Sequence, residues 1–452
     1  MIRLLLLLLF FTRVEPLYAQ NRELVISGPM LGYSEPNSVL IWYELGQDAR
    51  TATLLYWERG DTEFYYELDC EAPLGKLYNP VKFVLPELKN NTTYFYQLNV
   101  NGKVHDADRT RKFTTRPSVA NPDAAAPDIT FLAGSCTYIN DPKVDPPGMP
   151  YGQDTYIFKT MTALPTDFML WLGDNVYLRS ADYSSASGMQ YRYSFNRKSP
   201  VISGLLASRP NYAVWDDHDY GSNDAGASFE LKSVSQKLFR DYWGNKTYGL
   251  DGDNGIYSRF SWGDCDFFLM DDRSWRSAAA LEDSLDGKPN CDKKFFGPGQ
   301  ISWLKDQLLS SASTFKFIVS GSQMLNPIAE KEHFRDYSCE FNALMGFIVK
   351  HKIPGVVFIS GDRHFSEVIA WKPDGGYTLY DFTCSALTST PHPPSPAERE
   401  NPFRVPDTFV GENNFSHFEI KGVGGERTLK VQTMDKKGVT LSTFRIRAAD
   451  LK

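Results

Sequence analysis

Short apolar runs separated by turn residues fill the region that follows the N-terminus. Runs rich in aromatic and β-branched side chains, such as SVLIWYEL, TATLLYWE, EFYYELD and TYFYQLNVNGKV, recur at the spacing typical of a β-sandwich. Each run is short enough to be a single strand, and each is bounded by Gly, Pro, Asn or Asp. The pattern predicts an all-β sandwich domain over residues 21–116.

One segment indicates which kind of sandwich this is. LPELKNNTTYFYQL places a tyrosine just after a turn and before a strand. That arrangement is similar to the tyrosine corner of immunoglobulin-like and fibronectin-type modules. We therefore expect an immunoglobulin- or fibronectin-like sandwich. The other aromatic residues of the region are expected to fill its core.

The pattern changes after residue 116. RPSVANPDAAAPD is rich in Pro and Ala and lacks periodicity, which predicts a linker over 117–127. Beyond it, apolar strands such as ITFLAGSC and FKFIVSGSQ alternate with helix-like segments such as DTYIFKTMTALPTD. This alternation predicts a layered α/β domain over 128–452 with mainly internal strands. LKVQTMDKKGVTLSTFRIR predicts a final hairpin.

The N-terminus has the pattern of a targeting segment. In MIRLLLLLLFFTRVEPLYAQ, the basic residue Arg3 precedes the apolar run Leu4 to Phe11. That run is much shorter than the roughly 20 apolar residues a spanning helix needs. A signal peptide over residues 1–20 is the favoured interpretation, and a buried N-terminal helix is the alternative. We therefore expect a secreted, periplasmic or cell-surface protein without a transmembrane segment in its mature chain.

Charge and cysteine content narrow the class of protein. The 452 residues are enough for two domains, and the formal net charge of −7 provides no basic face for nucleic acid. We therefore expect no nucleic-acid-binding module. Six cysteines in an exported chain allow 15 disulfide pairings, among which the sequence does not choose. They are Cys70, Cys136, Cys265, Cys291, Cys339 and Cys384.

Potential metal ligands follow four of the predicted strands. In open α/β sheets, ligands bind beyond the carboxyl ends of the strands, so these residues are expected to meet at one rim. Each motif alone has an ordinary explanation, such as a turn, a packed thiol, a loop histidine or a solvated acidic loop. Their repetition favours a metal site. The motifs are FLAGSCTY with Cys136, LWLGDNVY with Asp174 and Tyr177, VWDDHDYGSN with Asp216, Asp217, His218 and Asn223, and FISGDRH with Asp362 and His364.

The ligand types suggest more than one ion. Carboxylate oxygens suit Ca²⁺, Mg²⁺ or Mn²⁺, whereas thiolate, phenolate and imidazole suit iron or zinc. Two metals about 3.5–4 Å apart can clamp a phosphoryl group and generate a hydroxide nucleophile. One carboxylate at a strand end can bridge such a pair, and Asp174 is the candidate for this role.

The motifs GSC, GDNVY, WDDHDYGSND and SGDRH, in this order after a β-sandwich, resemble PhoD-type alkaline phosphatases of the metallophosphoesterase superfamily. The resemblance implies a four-layer αββα catalytic domain. It also implies hydrolysis of phosphate monoesters by a metal-bound hydroxide, with diesters as further substrates. The implied cofactors are Fe(III) and Ca²⁺, with Mn²⁺, Zn²⁺ or Mg²⁺ pairs as the alternative.

The resemblance also implies roles for individual residues. His364 would ligate or flank the metal cluster, and Asp216 would orient His218 or brace its loop. His218 would protonate the leaving alkoxide or stabilise the transition state. Two arginines are candidates from their positions in the sequence: Arg363, between two site residues, is expected to hold phosphate oxygens, and Arg273, which follows another apolar strand in FFLMDDRSW, is a candidate substrate contact. The expected ligands are Cys136, Asp174, Tyr177 and Asp362 for iron, with Asp174, Asp217 and Asn223 for calcium.

Two other functions remain open at this point. A phosphodiesterase or phospholipase would use the same site on nucleotide, cell-wall or lipid diesters, and pocket width would decide between them. A non-catalytic, calcium-stabilised binding protein is the second alternative, although structural calcium needs neither a thiolate nor a histidine. The expected partner is a small-molecule or polymeric phosphate ester, and the oligomeric state stays open.

Overall fold

The computed structural model describes residues 23–61, 64–105, 111–118, 126–148, 150–328 and 332–452. The predicted signal peptide, residues 1–20, lies outside the described residues. Most of the predicted linker does so as well. Within the described ranges, every helix is too short or too polar to cross a membrane.

The first region consists of strands, as predicted. One antiparallel sheet has the order β1-β2-β5, and a second has the order β4-β3-β6-β7 with β8 beside β6. Alternate side chains of these strands fill a core between the sheets, which includes Ile41, Leu54 and Phe83. The strands are β1 Val25–Ser34, β2 Val39–Leu45, β3 Ala52–Glu58, β4 Tyr66–Asp69, β5 Asn79–Leu85, β6 Thr93–Val100, β7 Lys103–His105 and β8 Arg111–Thr114.

The tyrosine recognised in the sequence, Tyr94, lies at the start of β6. Its hydroxyl accepts a hydrogen bond from the backbone N–H of Lys89 at 3.0 Å. Its ring stacks on Phe113 of β8 with centroids 5.6 Å apart. Tyr94 therefore ties the turn before β6 to the sheet, as expected of a tyrosine corner.

The second region contains two large mixed sheets. The first has the order β11-β10-β9-β20-β21-β22 and the second has the order β12-β13-β16-β17-β19-β18, while β14 and β15 form a small hairpin. The strands are β9 Ile129–Gly134, β10 Phe168–Leu172, β11 Asn211–Val214, β12 Ser258–Trp262, β13 Cys265–Leu269, β14 Ser284–Leu285, β15 Lys288–Pro289, β16 Phe315–Val319, β17 Val356–Ser360, β18 Glu367–Trp371, β19 Leu379–Thr383, β20 Asn414–Lys421, β21 Thr428–Asp435 and β22 Thr440–Arg447. The last two form the predicted C-terminal hairpin.

Strands β9, β10 and β11 are parallel neighbours in the first sheet. Strands β13, β16, β17 and β19 are parallel neighbours in the second. Because parallel strands end at the same edge, the loops that follow them lie together. The mixed sheets and the helices between the strands confirm the predicted α/β character of this region.

Aromatic rings join the two sheets face to face. Phe131 of β9 contacts Phe267 of β13 and Phe317 of β16, with ring centroids 5.4 and 5.8 Å apart. The second sheet is also covered on its other face, where Leu304 and Leu344 pack against Ile318 and other strand residues. The helices are α1 Tyr156–Ala163, α2 Ala186–Lys198, α3 Pro200–Ser208, α4 Asp217–Tyr220, α5 Lys232–Tyr242, α6 Pro298–Ser310, α7 Ser338–Lys350 and α8 Pro396–Arg399.

Burial of both faces explains the uninterrupted apolar runs of the sequence. In β16, Phe317 belongs to the core shared by the two sheets, whereas its neighbour Ile318 belongs to the core beneath α6 and α7. The same alternation occurs in β17 between Val357 and Phe358. A strand with two buried faces needs apolar residues at every position, so its sequence does not alternate.

The sandwich packs tightly on the second region. Trp42 of β2 is fully buried, and its indole N–H donates to the carbonyl of Asp241 at 2.8 Å. Beside it, the hydroxyl of Tyr242 donates to the buried carboxylate of Glu44 at 2.9 Å. Trp42 belongs to the same apolar cluster as the two large sheets, so the outer face of the sandwich that carries it packs into the core of the second region.

One disulfide is present among the described residues, between Cys291 and Cys339. Cys339 lies at the start of α7, and the bond ties it to the segment before α6. Cys70 is partly exposed, whereas the remaining cysteines are buried as thiols. They are Cys136, Cys265 and Cys384. The structure thus selects one pairing from those the sequence left open.

Trp42→Ala is expected to lower the free energy of unfolding by about 3–5 kcal/mol, because it leaves a cavity where the indole now fills the contact between the sandwich and the second region. Trp57→Ala is the matched control, since Trp57 of β3 is only partly buried. Denaturant unfolding of both variants measures the difference. Equal losses would contradict a stabilising role for this contact.

Candidate metal centre

Residues that follow four strands meet at one edge of the two sheets. Cys136, Asp174 and Asp217 come after β9, β10 and β11, which are neighbours in the first sheet. Asp362 and His364 come after β17 in the second sheet. The face-to-face packing of the sheets brings these loops together across the shared edge.

Two glycines permit this close approach. A Cβ atom on Gly173 would lie 2.7 Å from the Cβ of Asp216, and one on Gly361 would lie 2.5 Å from the carbonyl oxygen of Leu172. Real Cβ atoms do not come so close to other atoms. The G-D pairs of LWLGDNVY and FISGDRH therefore have a steric reason: the glycine lets two strand ends touch and the aspartate follows at the point of contact.

The backbone is left-handed at the residues that carry the ligands. Cys136, Asp174, Asp362 and His364 have φ angles of 59°, 51°, 69° and 58°. For residues other than glycine this conformation costs on the order of 1–3 kcal/mol each, and it concentrates at functional sites. In Cys136, Asp174 and His364 it turns the side chain from the end of the strand toward a common centre.

The first group of potential ligands is chemically mixed. One ligand atom each from Cys136, Asp174 and His364 lies within 4.8 Å of the others. The hydroxyl of Tyr177 lies 3.1 Å from both Asp174 Oδ2 and His364 Nε2. The hydroxyl of Ser385 donates to Cys136 Sγ at 3.1 Å, which fixes the sulfur. A thiol, a carboxylate, an imidazole and a phenol thus converge.

The tautomer of His364 follows from its hydrogen bond. Its Nδ1 lies 2.7 Å from the backbone carbonyl oxygen of Thr390. A carbonyl only accepts, so Nδ1 carries the hydrogen and the Nε2 lone pair faces Tyr177 and Asp174. This is the arrangement found for histidines that bind metals, in which a carbonyl orients the ring.

Two further groups extend the first. The second contains Asp174, Asp217 and His218, and the third contains Asp217, Asp224 and Glu332. Asp174 is shared by the first and second groups, and Asp217 by the second and third. The backbone N–H of His218 donates to Asp174 Oδ1 at 3.2 Å, and that of Asp224 donates to Asp217 Oδ2 at 2.8 Å. The three groups form a continuous chain of ligands.

Two aspartates of WDDHD stabilise the loop itself. Asp216 caps the short helix α4 that carries Asp217 and His218. The carboxylate of Asp219 accepts hydrogen bonds from the backbone N–H groups of Asn175 and Val176 at 3.0 and 2.9 Å. These hydrogen bonds of Asp219 link the loop after β11 to the loop after β10. The density of acids in this motif therefore serves both ligand supply and loop geometry.

Arg273 lies beneath the loop and is fully buried. Its guanidinium pairs with Asp216 and lies 3.3 Å from each carboxylate oxygen of Glu332. It also lies 3.3 Å from the hydroxyl of Ser322. In this arrangement Arg273 connects the helix cap at Asp216 to Glu332. Its predicted contact with substrate stays a prediction.

The other predicted residues lie around the centre in different ways. The backbone oxygen of Asp362 is 3.5 Å from Cys136 Sγ, but its carboxylate is 3.9 Å from the guanidinium of Arg363. Arg363 is about 15% exposed and pairs with Glu398 of α8. Asn223 is exposed, and its neighbour Asp224 occupies the third group instead.

Burial sets the electrostatics of the centre. Burial, followed by the charge of Asp217, raises the pKa of Asp174 well above its usual range. Burial raises the pKa of Cys136 to about 12, and it raises that of Asp362 to about 6 against the opposing charge of Arg363. Burial also lowers the pKa of His364. The protein alone therefore disfavours the anionic forms, and a cation would reverse that preference.

The electrostatics of the third ligand group differ from those of the first, because two arginines lie beside Glu332. Burial by itself would raise the pKa of Glu332, but Arg273 and Arg276 hold it below its usual range. A hydrogen bond with Glu332, together with burial, raises the pKa of Asp224 to about 7. Part of the negative charge of this group is thus already balanced by protein cations.

The donor types fit metal ions. A thiolate, a phenolate and an imidazole beside a carboxylate suit iron or zinc, and the all-carboxylate third group suits a hard cation such as Ca²⁺. Sulfur and imidazole ligands lie at one end of the chain of groups and oxygen ligands at the other. The residues present are therefore compatible with two unlike metals that share a carboxylate.

Sequence reasoning missed Glu332 and underestimated Asp224. Asp224 ends the quoted motif WDDHDYGSND, so its position was a usable signal. Glu332 lies in AEKEHF, a sequence without an apolar strand pattern, a glycine or a familiar metal-ligand spacing. Only the folded chain places it beside Asp217.

Comparison with known proteins identifies the family. The model of the PhoD-like phosphatase family matches residues 147–445, which is more than half of the chain. A search of curated proteins gives no match. The solved structure of PhoD is 16% identical in sequence to this chain and superposes with a TM-score of 0.75. The alignment covers 95% of this chain and 92% of the PhoD chain.

A purple acid phosphatase, PPD1 from yellow lupin seeds, is a more distant structural neighbour. It is 12% identical, with 93% of this chain and 74% of that chain covered, at a TM-score of 0.65. At such identities these two structures support a metallophosphoesterase-like fold. The family model carries the assignment: this chain belongs to the PhoD-like phosphatase family.

Proposed function

We propose that this protein is an exported, metal-dependent phosphatase that hydrolyses phosphate monoesters. The observation that supports this most strongly is the continuous chain of ligand groups, joined through Asp174 and Asp217, in a member of the PhoD-like phosphatase family. Diesters of nucleotides, cell-wall polymers or lipids are the alternative substrates for the same site. A non-catalytic calcium-stabilised protein is disfavoured, because it would not require the buried Cys136 beside His364.

We also propose the finer organisation of the chain. The N-terminal apolar run and the disulfide between Cys291 and Cys339 favour an exported protein in an oxidising compartment. The domain boundaries are 21–116 for the sandwich and 128–452 for the catalytic domain. The face-to-face sheets and the packing of α6 and α7 support the four-layer αββα order.

The proposed cofactors are Fe(III) and Ca²⁺, with another divalent pair as the alternative. Bound at this site, such ions supply Lewis acidity toward the phosphoryl group and activate water. Asp224 and Glu332 offer two further carboxylates beside Asp217, next to the predicted calcium ligand Asn223. The proposed iron ligands are Cys136, Asp174, Tyr177 and Asp362 with His364 beside them, and the proposed calcium ligands are Asp174, Asp217 and Asn223.

Residues of the chain then act on the substrate. His218 is partly exposed, and its ring stacks on Tyr177 at 4.4 Å, which holds the imidazole at the edge of the centre. From there it protonates the leaving alkoxide or stabilises the transition state. Arg363 binds phosphate oxygens and is positioned by Glu398. Arg273 acts on the site mainly by holding Asp216, whose helix carries His218.

Hydrolysis of 4-nitrophenyl phosphate and bis(4-nitrophenyl) phosphate tests the function. The proposal expects the monoester to be cleaved with the higher kcat/KM, and a preference for the diester would favour the phosphodiesterase alternative. Asp174→Asn is expected to lower turnover by at least about 10²-fold and to lower bound metal, measured by elemental analysis, because it removes the shared carboxylate.

The matched control is Asp167→Asn, at the opposite end of the same strand. Asp167 immediately precedes β10, whereas Asp174 follows the other end of that strand. The carboxylate of Asp167 accepts a hydrogen bond from the backbone N–H of Thr130 at 2.7 Å. This variant is expected to keep both metal and activity. Full activity in Asp174→Asn, or no hydrolysis of either ester by the metal-loaded protein, would refute the proposal.

Iron bound by a tyrosinate gives a visible charge-transfer absorption, so Tyr177→Phe is expected to abolish that band. Tyr138→Phe is the control, since its ring packs 4.9 Å from that of Tyr177 but its hydroxyl donates to Asp145. It should keep the band. A colourless, iron-free and fully active protein would contradict the iron assignment and favour another metal pair.

His218→Ala is expected to keep bound metal while turnover falls by about 10²–10⁴-fold, the usual scale of lost acid–base help. Steady-state kinetics and elemental analysis on the same preparation separate the two effects. His351→Ala provides the control, because that histidine is exposed at the end of α7. Unchanged turnover in His218→Ala would show that the imidazole has no catalytic role.

A further inference from the structure

Two kinds of side chain border the metal centre. Charged groups are among them, including Glu332, Arg363 and Asp224. A set of rings in mutual contact also borders the centre, and we call it the aromatic wall. The aromatic wall consists of Tyr138, Tyr151, His364 and His392.

The rings of the aromatic wall lie in contact with one another and with the centre. Tyr151 has ring centroids 4.9 Å from Tyr138, 6.1 Å from Tyr177 and 6.0 Å from His364. The ring of His392 stacks on that of His364, with centroids 4.2 Å and planes 24° apart. Since His364 belongs to the first ligand group, the ring of His392 lies only one stacked ring away from that group.

Backbone contacts hold the two loops of the wall as one unit. Gly152 forms an antiparallel bridge with Ser389. The N–H of Gln153 donates to the carbonyl of Thr388 at 2.6 Å, and the hydroxyl of Thr390 donates to the carbonyl of Tyr151 at 2.7 Å. Tyr151 and His392 are therefore presented on a fixed surface, which lowers the entropy cost of binding a ligand against them.

The two outer rings are accessible. His392 is exposed and Tyr151 is partly exposed, whereas Tyr177 and His364 behind them are buried. The Tyr151 hydroxyl lies 3.4 Å from His392 Nε2 and 3.5 Å from His364 Nδ1, so the phenol edge points along the wall. Tyr151 and His392 are therefore the rings of the wall that solvent reaches beside the first ligand group.

We propose that Tyr151 and His392 form a subsite that stacks against a flat aromatic group, such as a nucleobase, of the phosphate ester. The inference rests on the proposed phosphatase function and adds a substrate class to it. Stacking on aromatic side chains can bind any flat ring system and does not depend on specific hydrogen bonds to that ring. The nearby guanidinium groups are held in ion pairs, Arg363 with Glu398 and Arg273 with Glu332, whereas the rings of Tyr151 and His392 are accessible.

Adenosine 5′-monophosphate and ribose 5-phosphate provide a matched pair of substrates. Both release phosphate from the same primary alcohol, and they differ in the base. The subsite predicts that the wild-type KM is about tenfold lower for the nucleotide, in line with the usual strength of stacking. Tyr151→Ala and His392→Ala are each expected to reduce this ratio to about twofold or less, whereas Tyr151→Phe keeps it.

Phe64→Ala is the control, because Phe64 is a 73% exposed aromatic residue of the sandwich outside the aromatic wall. It should leave the ratio as in the wild type. Equal KM values for the two substrates in the wild type, or a ratio that survives both alanine variants, would overturn the subsite while leaving the phosphatase proposal intact. Hydrolysis of neither substrate by the metal-loaded protein would contradict both proposals.

Discussion

The shared use of one buried carboxylate, that of Asp174, is the constraint on which the site depends. Asp174 and Asp217 both belong to the second ligand group, and both side chains are nearly inaccessible to solvent. Their repulsion in a region of low dielectric destabilises the bare protein. The adjacent parallel strands β10 and β11, the left-handed backbone angle of Asp174 and the start of α4 at Asp217 place the two side chains together in spite of this cost. A cation between them removes the repulsion, so the same geometry that is unfavourable alone becomes a binding site.

The surrounding structure limits how far this repulsion spreads. Asp216 and Asp219 lie within the same short motif, yet neither is needed as a ligand. Arg273 neutralises Asp216, and two backbone N–H groups hold Asp219. The buried guanidinium of Arg273 and the helix cap that Asp216 provides fix α4. They thereby fix His218 with respect to Asp174. Mutating Arg273 would leave Asp216 buried without its partner, which is a larger disturbance than the loss of a surface contact.

The parts of the site that could be predicted are those encoded locally. Cys136, Asp174, Asp217 and His364 each follow an apolar strand, and parallel strands must end at a common edge. The convergence of Cys136, Asp174 and Asp217 therefore follows from the strand order of one sheet, whereas His364 joins them through the face-to-face packing of the second sheet. The sandwich was predictable for the same reason, since its strands are short and regularly spaced. Glu332 was not predictable because its position depends on a long-range packing contact with Arg273. Nor does the sequence pattern show that Asp224, rather than its equally exposed neighbour Asn223, lies within reach of Asp217 and Glu332.

The aromatic wall shows a second limit of local reasoning and indicates how specificity arises in this fold. Tyr151 and His392 are 241 residues apart and lie on loops without strand or helix patterns. Neither segment carries a motif for substrate binding. The candidate metal ligands follow the ends of buried strands. By contrast, the loops of the wall are joined to each other by a few backbone hydrogen bonds and can vary with little effect on the sheets. The candidate metal centre is thus tied to the strands, whereas the proposed stacking subsite lies on loops, so family membership alone does not determine the substrate.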